Sequence, residues 1–412
     1  MVRLRFYGGV EGFIGGNQVV LEDDSATLLL DFGLNYRLWS SYFEFIFSEP
    51  ENVDEVIRVG LAPDLPTIDS VDACFVSHAH TDHWRLITIL PEGSRILLGE
   101  CTYRIIDGWS KRVRRRALLY RTSHLRFETF RTGSTIRIGE IEVKPISVDH
   151  SIPGAYGFHI YTPSGLIVYT GDFRLHGRFK PRIDLCKGLE DRVSLLICEG
   201  TNIGRLVEPM SESDVDARAY SIIEGCRGLV IVDIAPADLD RLNTMIDVAY
   251  KVGREVVCSD RIIDTVMDLS GDRSLKVPRI GEDVKPFEEV KDSCMLNPGK
   301  YMLVTCLYSE REVRRIKPPP GSVYLLSCSE PFEEEREIAF NRLLNWLHTF
   351  GVSIYHVHSS GHIYPLDIRR IVERVKPKAV AAIHTEYPDA FRSILSDLAK
   401  VYTFRRGDEH RI

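Results

Sequence analysis

The chain has 412 residues, of which 44% are hydrophobic and 27% charged, with a formal net charge of −7 at pH 7. The length allows a sizeable core and two or three average domains, and the composition is that of an ordinary soluble globular protein. No run approaches the ~18 consecutive apolar residues of a membrane span, and the acidic balance removes the strongly basic character that would by itself announce a nucleic-acid binder. The start, MVRLRFYGG, shows no secretory leader, so a cytoplasmic setting is expected. The cysteines at 74, 101, 186, 198, 226, 258, 294, 306 and 328 form no C-x-x-C pair and are odd in number, which argues against a disulfide framework and a thiolate zinc site.

The first third alternates short β-like runs with turns: RLRFY, NQVVLE, ATLLLDFG, DACFVSH and SRILLGE, each bounded by Gly, Pro, Asp or Ser. STIRIG and IEVKPISV follow as a hairpin turning at Gly139-Glu140. YGFHIYTPSGLIVYTGDF reads as another, turning across Thr162-Pro163-Ser164-Gly165. From about residue 205 strands alternate with helices. GLVIVDI is a buried strand, and Leu239 to Val252 has helical spacing that Gly253 ends. REVVCS, YMLVTC and SVYLLSC are further strands, with IIDTVMDLS a shorter helix. PFEEEREIAFNRLLNWLHTFG opens acidic, as the helix dipole favours, and is expected to align Ile338, Leu343, Leu344 and Leu347 on one face before Gly351. Beyond it come SIYHVH, a helix around Leu366 to Val375, the strand AVAAIH, a helix near Ala390 to Leu398 and a final strand VYTF. The pattern predicts one α/β domain interrupted by a second, without internal repeats.

DACFVSHAHTDH is a strand running into a loop that carries His78, His80, Asp82 and His83 within six residues. Neutral imidazole and carboxylate suit zinc and other divalent first-row ions. Neighbouring side chains diverge, so the loop can be split between two ions, His78 and His80 to one and Asp82 and His83 to the other. A solitary histidine is more often structural; four donors directly after an apolar strand point to metal. VDHSIPGAYGF adds His150 and IVYTGDFRLHG adds Asp172, each where a buried strand emerges, the place where sites in α/β proteins gather.

Two runs of cations are candidates for phosphate contact or, on the plainer reading, solvated faces. One is Lys111, Arg112, Arg114, Arg115 and Arg116, continued by Arg121 and Arg126; the other is Arg174, Arg178, Lys180 and Arg182. Trp39, Tyr42, Phe43, Phe45 and Phe47 crowd the long segment 34–68 and are expected in the core or a subunit interface rather than stacked on bases.

The ordered set Asp31 in LLLDFG, His78-x-His80-x-Asp82-His83, His150 and Asp172 resembles the metallo-β-lactamase superfamily. The resemblance implies a four-layer αβ/βα sandwich with metals along the edge of its sheets. It implies that His78, His80 and His150 hold one ion, that Asp82 and His83 hold a second, and that Asp172 bridges them. Asp31 would orient the metal loop without binding directly. Three later motifs are similar to the β-CASP nucleases, above all the RNase J type: Glu199 in LLICEGTNIGR, His362 in HVHSSGHIYPLDI and His384 in KAVAAIHTE. APADLDRLNTMIDVA also resembles the helix that opens that family's inserted domain. The domains implied are a first metallo-β-lactamase part over 1–204, an inserted β-CASP α/β domain over 205–352, and a return segment over 353–412. His384 is expected to complete the second metal site. RNA-processing members carry His there where Artemis-like DNA enzymes typically carry Val, so RNA is favoured. The chain is shorter than RNase J and shows no counterpart of its extra C-terminal domain, which leaves the usual dimer open.

What the resemblance implies is a ribonuclease in which a hydroxide bridging two divalent ions attacks phosphorus in line with the leaving oxygen. Zinc is expected, with manganese the alternative. Asp82 would align the hydroxide, His362 would protonate the leaving oxygen or clamp the phosphate, and Glu199 would fix the tautomer of His362. The expected substrate is single-stranded RNA, with no membrane partner and a homo-oligomer left open. The alternative keeps the metals and changes the substrate to DNA or a small phosphodiester or ester. A polymer calls for a basic cleft and a small molecule for a closed apolar pocket. A non-catalytic RNA-binding scaffold is disfavoured because no ligand is missing.

Overall fold

The computed structural model describes residues 1–43, 48–112, 118–178, 184–186, 188–189, 192–206, 208–329 and 334–412. Two seven-stranded sheets lie face to face. The first runs in the order Glu409–Arg411, Arg3–Gly8, Gln18–Glu22, Thr27–Phe32, Ala73–Val76, Arg95–Gly99, Arg126–Phe130. The second runs Lys400–Thr403, Ala379–Ile383, Val193–Glu199, Gly165–Tyr169, Tyr156–Thr162, Ile141–Ser147, Ile136–Ile138. Alternation of side chains along each strand decides what meets between the sheets. Leu28 and Leu30 turn inward to share a core with Phe158, Ile167, Tyr169, Leu195 and Ile197. Leu29 points to the opposite face, and Val168 and Leu196 pack under the helices Pro365–Val375 and Pro388–Leu395. With Glu100–Arg112 against the outside of the first sheet, this is the four-layer αβ/βα sandwich implied by the motif order.

The two expected hairpins form, and Gly139 turns the first at φ 58, a left-handed value that favours glycine. The strand Glu409–Arg411 is not evident in the sequence, being short and charged; it adds to the edge of the first sheet beside Arg3–Gly8.

A third sheet is wholly parallel, in the order Lys285–Pro286, Glu255–Cys258, Tyr301–Cys306, Val230–Ile234, Val323–Leu326, Ser353–His356. Its central strands are buried throughout and mostly apolar, with Asp233 and Thr305 the polar exceptions, because both faces are covered, as parallel sheets require. Ser353–His356 pairs with Val323–Leu326 and so forms the last strand of this sheet. The strand pattern of SIYHVH identifies a strand without identifying its sheet. Helix Asp260–Leu269 packs so closely on Glu100–Arg112 that Gly108 leaves no room for a Cβ beside Asp268. One continuous apolar cluster therefore runs from the outer face of the first sheet to the third.

The helix Glu334–Thr349 buries Leu343 and Leu347, with Leu344 and Phe340 partly buried beside them. Ile338 is 52% exposed, contrary to the expected alignment: five residues at ~100° each carry it ~140° round from Leu343. Trp39 is buried and packs against Phe43 with ring centres 4.8 Å apart and planes tilted by 38°, whereas Tyr42 is exposed; Phe45 and Phe47 lie outside the described residues. All nine cysteines are free thiols, and eight are buried. Among the described residues no helix is long and apolar enough to cross a membrane.

Phe158, fully buried between the sheets and edge-on to Phe75 at 5.7 Å, tests the sandwich core. Phe158→Ala is expected to lower stability by about 3–5 kcal/mol in chemical denaturation. Ile338→Ala, on the exposed face of its helix, is expected to change it by less than about 0.5 kcal/mol.

Candidate metal centre

The strand ends Thr27–Phe32, Ala73–Val76, Gly165–Tyr169, Val193–Glu199 and Ala379–Ile383 converge on one edge of the sandwich. Asp31 is the extra residue of a bulge, since Gln18 pairs with Phe32 and Val19 with Leu30. Its backbone sits at φ 55, an uncommon value for a residue with a side chain and one often found where a site demands it. His384, directly after Ile383, sits at φ 51. The Asp31 carboxylate accepts from Ser77 N (2.7 Å), Ser77 Oγ (2.8 Å), His83 Nδ1 (2.8 Å) and Tyr169 OH (2.6 Å). The metal loop is pinned from the other side by Asn17 N, which donates to the Asp82 carbonyl at 3.1 Å. Gly33 abuts that carbonyl with no space for a Cβ.

Two sets of donors result. His78 Nε2 and His150 Nε2 lie 3.0 and 3.1 Å from His80 Nδ1. In the second set His384 Nε2 lies 3.2 Å from Asp82 Oδ2, and His83 Nε2 lies 3.9 Å from it. Asp172 Oδ2 stands between the sets, 3.8 Å from His78 Nε2, 3.1 Å from His83 Nε2 and 3.5 Å from His384 Nε2. Four overlapping clusters each bring at least three donors within 4.8 Å of one another, and together they contain every expected ligand: His78, His80, Asp82, His83, His150, Asp172 and His384.

Hydrogen bonding behind the rings fixes which nitrogen faces the cluster. His83 Nδ1 donates to Asp31, and His150 Nδ1 donates to the Gly361 carbonyl at 2.6 Å. His78 Nδ1 meets Ser77 Oγ at 2.9 Å, and His384 Nδ1 meets Thr201 Oγ1 at 2.8 Å. The opposite nitrogens of neutral rings therefore aim lone pairs at one another and at carboxylate oxygens, an arrangement that only protons or cations relieve. His83 Nε2 and Asp172 Oδ1 are buried without a hydrogen-bond partner. The donor chemistry and these orphaned atoms fit divalent ions of the zinc type.

Electrostatics agree. Burial, reinforced by neighbouring imidazoles, holds His78 and His150 well below the usual histidine range, and burial takes His80 down to about 4. These rings are neutral near pH 7, as ligands must be. Burial opposes charge on Asp172 and Asp82 as well, yet both are held well below the carboxylate range, Asp172 by His384 and His83, Asp82 by His83 and His384. At His83 the lowering effect of burial is outweighed by Asp172, Asp31 and Asp82, which push it well above its ordinary value. The pocket thus carries an excess of negative charge that draws a cation to its centre.

Glu199 and His362 join the same cavity wall. Glu199 accepts from Phe173 N at 3.0 Å and from Thr201 Oγ1 at 2.7 Å, and both its oxygens lie 3.2 Å from His362 Nδ1. Burial lowers His362, but the charge and hydrogen bond of Glu199 more than compensate and raise it above the ordinary value. Thr201 links Glu199, His362 and His384 through one hydroxyl and is not apparent from sequence reasoning. Its one signal is its place two residues beyond Glu199.

Among the described residues neither cationic run forms a free patch. Arg174 is fully buried against Asp149 (3.1 Å), Asp240 (3.0 Å) and Glu212 (3.4 Å), and Arg178 pairs with Asp247 at 2.6 Å. Lys111 pairs with Asp107 at 2.6 Å, Arg112 with Asp264 at 3.1 Å and with Asp268, and Arg126 with Glu128 at 3.3 Å. Arg114, Arg115, Arg116, Lys180 and Arg182 lie outside the described residues. A run of like charges in the sequence does not disclose the acids that other segments fold against it.

Residues 57–201 match the family model described as a beta-lactamase superfamily domain. The chain is 27% identical to Ribonuclease J of Corynebacterium glutamicum, over 93% of its own length and 54% of that protein. It is 26% identical to Ribonuclease J 1 of Streptococcus pyogenes, over 92% of the chain and 68% of the relative. Against Ribonuclease J of Mycobacterium tuberculosis it is 27% identical over 93% and 68%. It thus spans between about half and two thirds of the length of these curated relatives. A crystal structure described as a protein of unknown function from Enterococcus faecalis V583 superposes with a TM-score of 0.77 at 20% identity, covering 99% of both chains; that likeness concerns the fold.

His80 contributes to the first donor set alone. His80→Ala is expected to reduce bound zinc by about one ion per chain in elemental analysis, with the circular dichroism of the fold retained. Unchanged stoichiometry would remove His80 from the ligand set.

Proposed function

We propose that this chain, an RNase J-like member of the metallo-β-lactamase superfamily, is a metal-dependent ribonuclease that hydrolyses phosphodiester bonds of single-stranded RNA at the His/Asp cluster. The observation that carries the reading is the pair of donor sets meeting at Asp172, with His362 on their open side. On this proposal His78, His80 and His150 hold one ion, Asp82, His83 and His384 hold the other, and Asp172 is shared. Two divalent ions there, zinc expected and manganese the alternative, would activate a water near neutral pH and neutralise charge on the phosphoryl oxygens.

The chain's own groups supply the rest. Asp82, held ionised, is placed to accept a hydrogen bond from the attacking water and align it. The His362 side chain is 20% exposed, whereas that of Glu199 has no exposure, so His362 alone of the pair can meet substrate. Glu199 keeps a proton on Nδ1 and leaves Nε2 for the leaving oxygen or a phosphate oxygen. His384, where DNA-cleaving relatives typically have Val, supports RNA over DNA. The third-sheet unit fits a β-CASP domain inserted between Glu199 and the return segment, with its core in 230–356. A cytoplasmic setting belongs to the same proposal.

Single-stranded RNA labelled at the 5′ or 3′ end, beside matching DNA, with and without chelator, tests the assignment. Chelator-sensitive cleavage of RNA alone is expected, and the two labels distinguish exonucleolytic from internal cutting. No cleavage of either polymer with two metals bound per chain would move the assignment to a small-molecule hydrolase. His362→Ala is expected to lower RNA turnover roughly 10²- to 10⁴-fold, the usual worth of a positioned acid, while metal content stays constant. Loss of metal in that variant would show that His362 is a ligand instead.

A further inference from the structure

Residues 357–364 carry the chain from the last strand of the third sheet to the helix Pro365–Val375 without regular structure, and they present His362. Backbone carbonyls in such a turn have no ladder to satisfy them and must find other donors. Five consecutive ones are each met by a side chain. Ser359 O accepts from Arg241 Nη2 (3.2 Å), Ser360 O from His176 Nε2 (2.8 Å) and Gly361 O from His150 Nδ1 (2.6 Å). His362 O and Ile363 O both accept from Asn202 Nδ2, at 2.9 and 3.2 Å. At Gly361 an added Cβ would lie 2.6 Å from Ser151 Oγ and 3.2 Å from His150 Cε1, so the turn sits flush against a candidate ligand.

The donors lead in two directions. His176 lies four residues beyond Asp172, and its ring stacks on Tyr364 at 4.2 Å. Arg241, fully buried, belongs to helix Leu239–Lys251 of the third-sheet unit and pairs with Glu212 at 2.6 Å. Glu212 also meets Arg174, which pairs with Asp149, the neighbour of His150. Burying guanidinium and carboxylate groups costs several kcal/mol per ion before their attraction is counted, so such a network selects one arrangement more than it adds stability.

We infer that His176 and Arg241 are positioning residues that hold the 357–364 turn, so that the aim of His362 and the seating of the third-sheet unit are set by one chain of hydrogen bonds. The role of His362 in this inference rests on the ribonuclease reading above. His176 acts from the sandwich and Arg241 from the inserted unit; neither touches substrate.

His176→Phe keeps a ring on Tyr364 and removes the donor, and His176→Gln keeps a donor without the ring; at a half-buried position both variants are expected to fold. In the zinc-loaded full chain, His176→Phe should lower kcat on labelled RNA roughly 10- to 100-fold, the cost of about 1 Å of misplacement. KM, zinc per chain and Tm should stay near wild type, and His176→Gln should regain most of the loss. In the metal-free chain, hydrogen–deuterium exchange should rise in His176→Phe within 357–364 and not elsewhere. Undiminished kcat, a loss unrescued by Gln, or faster exchange throughout the chain would overturn the inference. Turnover of bis(4-nitrophenyl) phosphate separates the two claims. If the wild type hydrolyses this ester but not RNA, the ribonuclease reading falls and the same variants test the turn on the ester. If it hydrolyses neither, exchange alone decides, and no rise within 357–364 overturns the inference.

Discussion

Asp31, a carboxylate with no contact with solvent, takes four hydrogen bonds, from two strand ends and from His83 in the metal loop, and the site depends on that arrangement. Ser77 precedes His78, Tyr169 lies three residues before Asp172, and His83 is itself a candidate ligand, so one side chain registers both sheets against the metal loop. Hydrogen bonds to an ionised group are worth about 1.5–3 kcal/mol each, and removal of one donor strands part of a buried charge at greater cost. The bulge that sends Asp31 inward at φ 55 is a local strain maintained by those bonds.

Around this anchor the protein assembles charges that do not balance without a guest. His78, His80 and His150, made neutral by burial, face carboxylates held ionised, and their nitrogens converge at 3.0–3.1 Å. The same groups explain why His362 differs from His78 and His150. Burial lowers His362, but Glu199 first, then Asp172 and Asp82, raise it, whereas His78 and His150 are depressed by burial among like rings. On the proposed reading, one histidine type serves as metal donor in one place and proton carrier in another, according to which charges surround it.

Much of this was legible in the sequence because the first motif is dense: four donors in six residues leave little room for a structural reading. Strands with clear alternation, such as Arg3–Gly8, and helices closed by glycine, such as Leu239–Lys251, were legible for equally local reasons. Glu199, His362 and His384 are isolated in the chain and acquire meaning only from their resemblance to known motifs and from the sheet edge that gathers them. Thr201, Asn202, His176 and Arg241 act on backbone carbonyls or on a neighbour's hydrogen bond, and such roles leave no pattern in residue type. Arg174 sits in a cationic run and was expected at the surface or on phosphate; its acids arrive from residues 149, 212 and 240, which only the fold brings together.

The central claim is a site built for two cations that share Asp172. Anomalous X-ray scattering at the zinc edge from crystals of the full chain tests it most directly. The account predicts two peaks, one among His78, His80 and His150 and one among Asp82, His83 and His384, each within bonding distance of an Asp172 oxygen. A single peak, or two peaks of which one avoids Asp172, would contradict it.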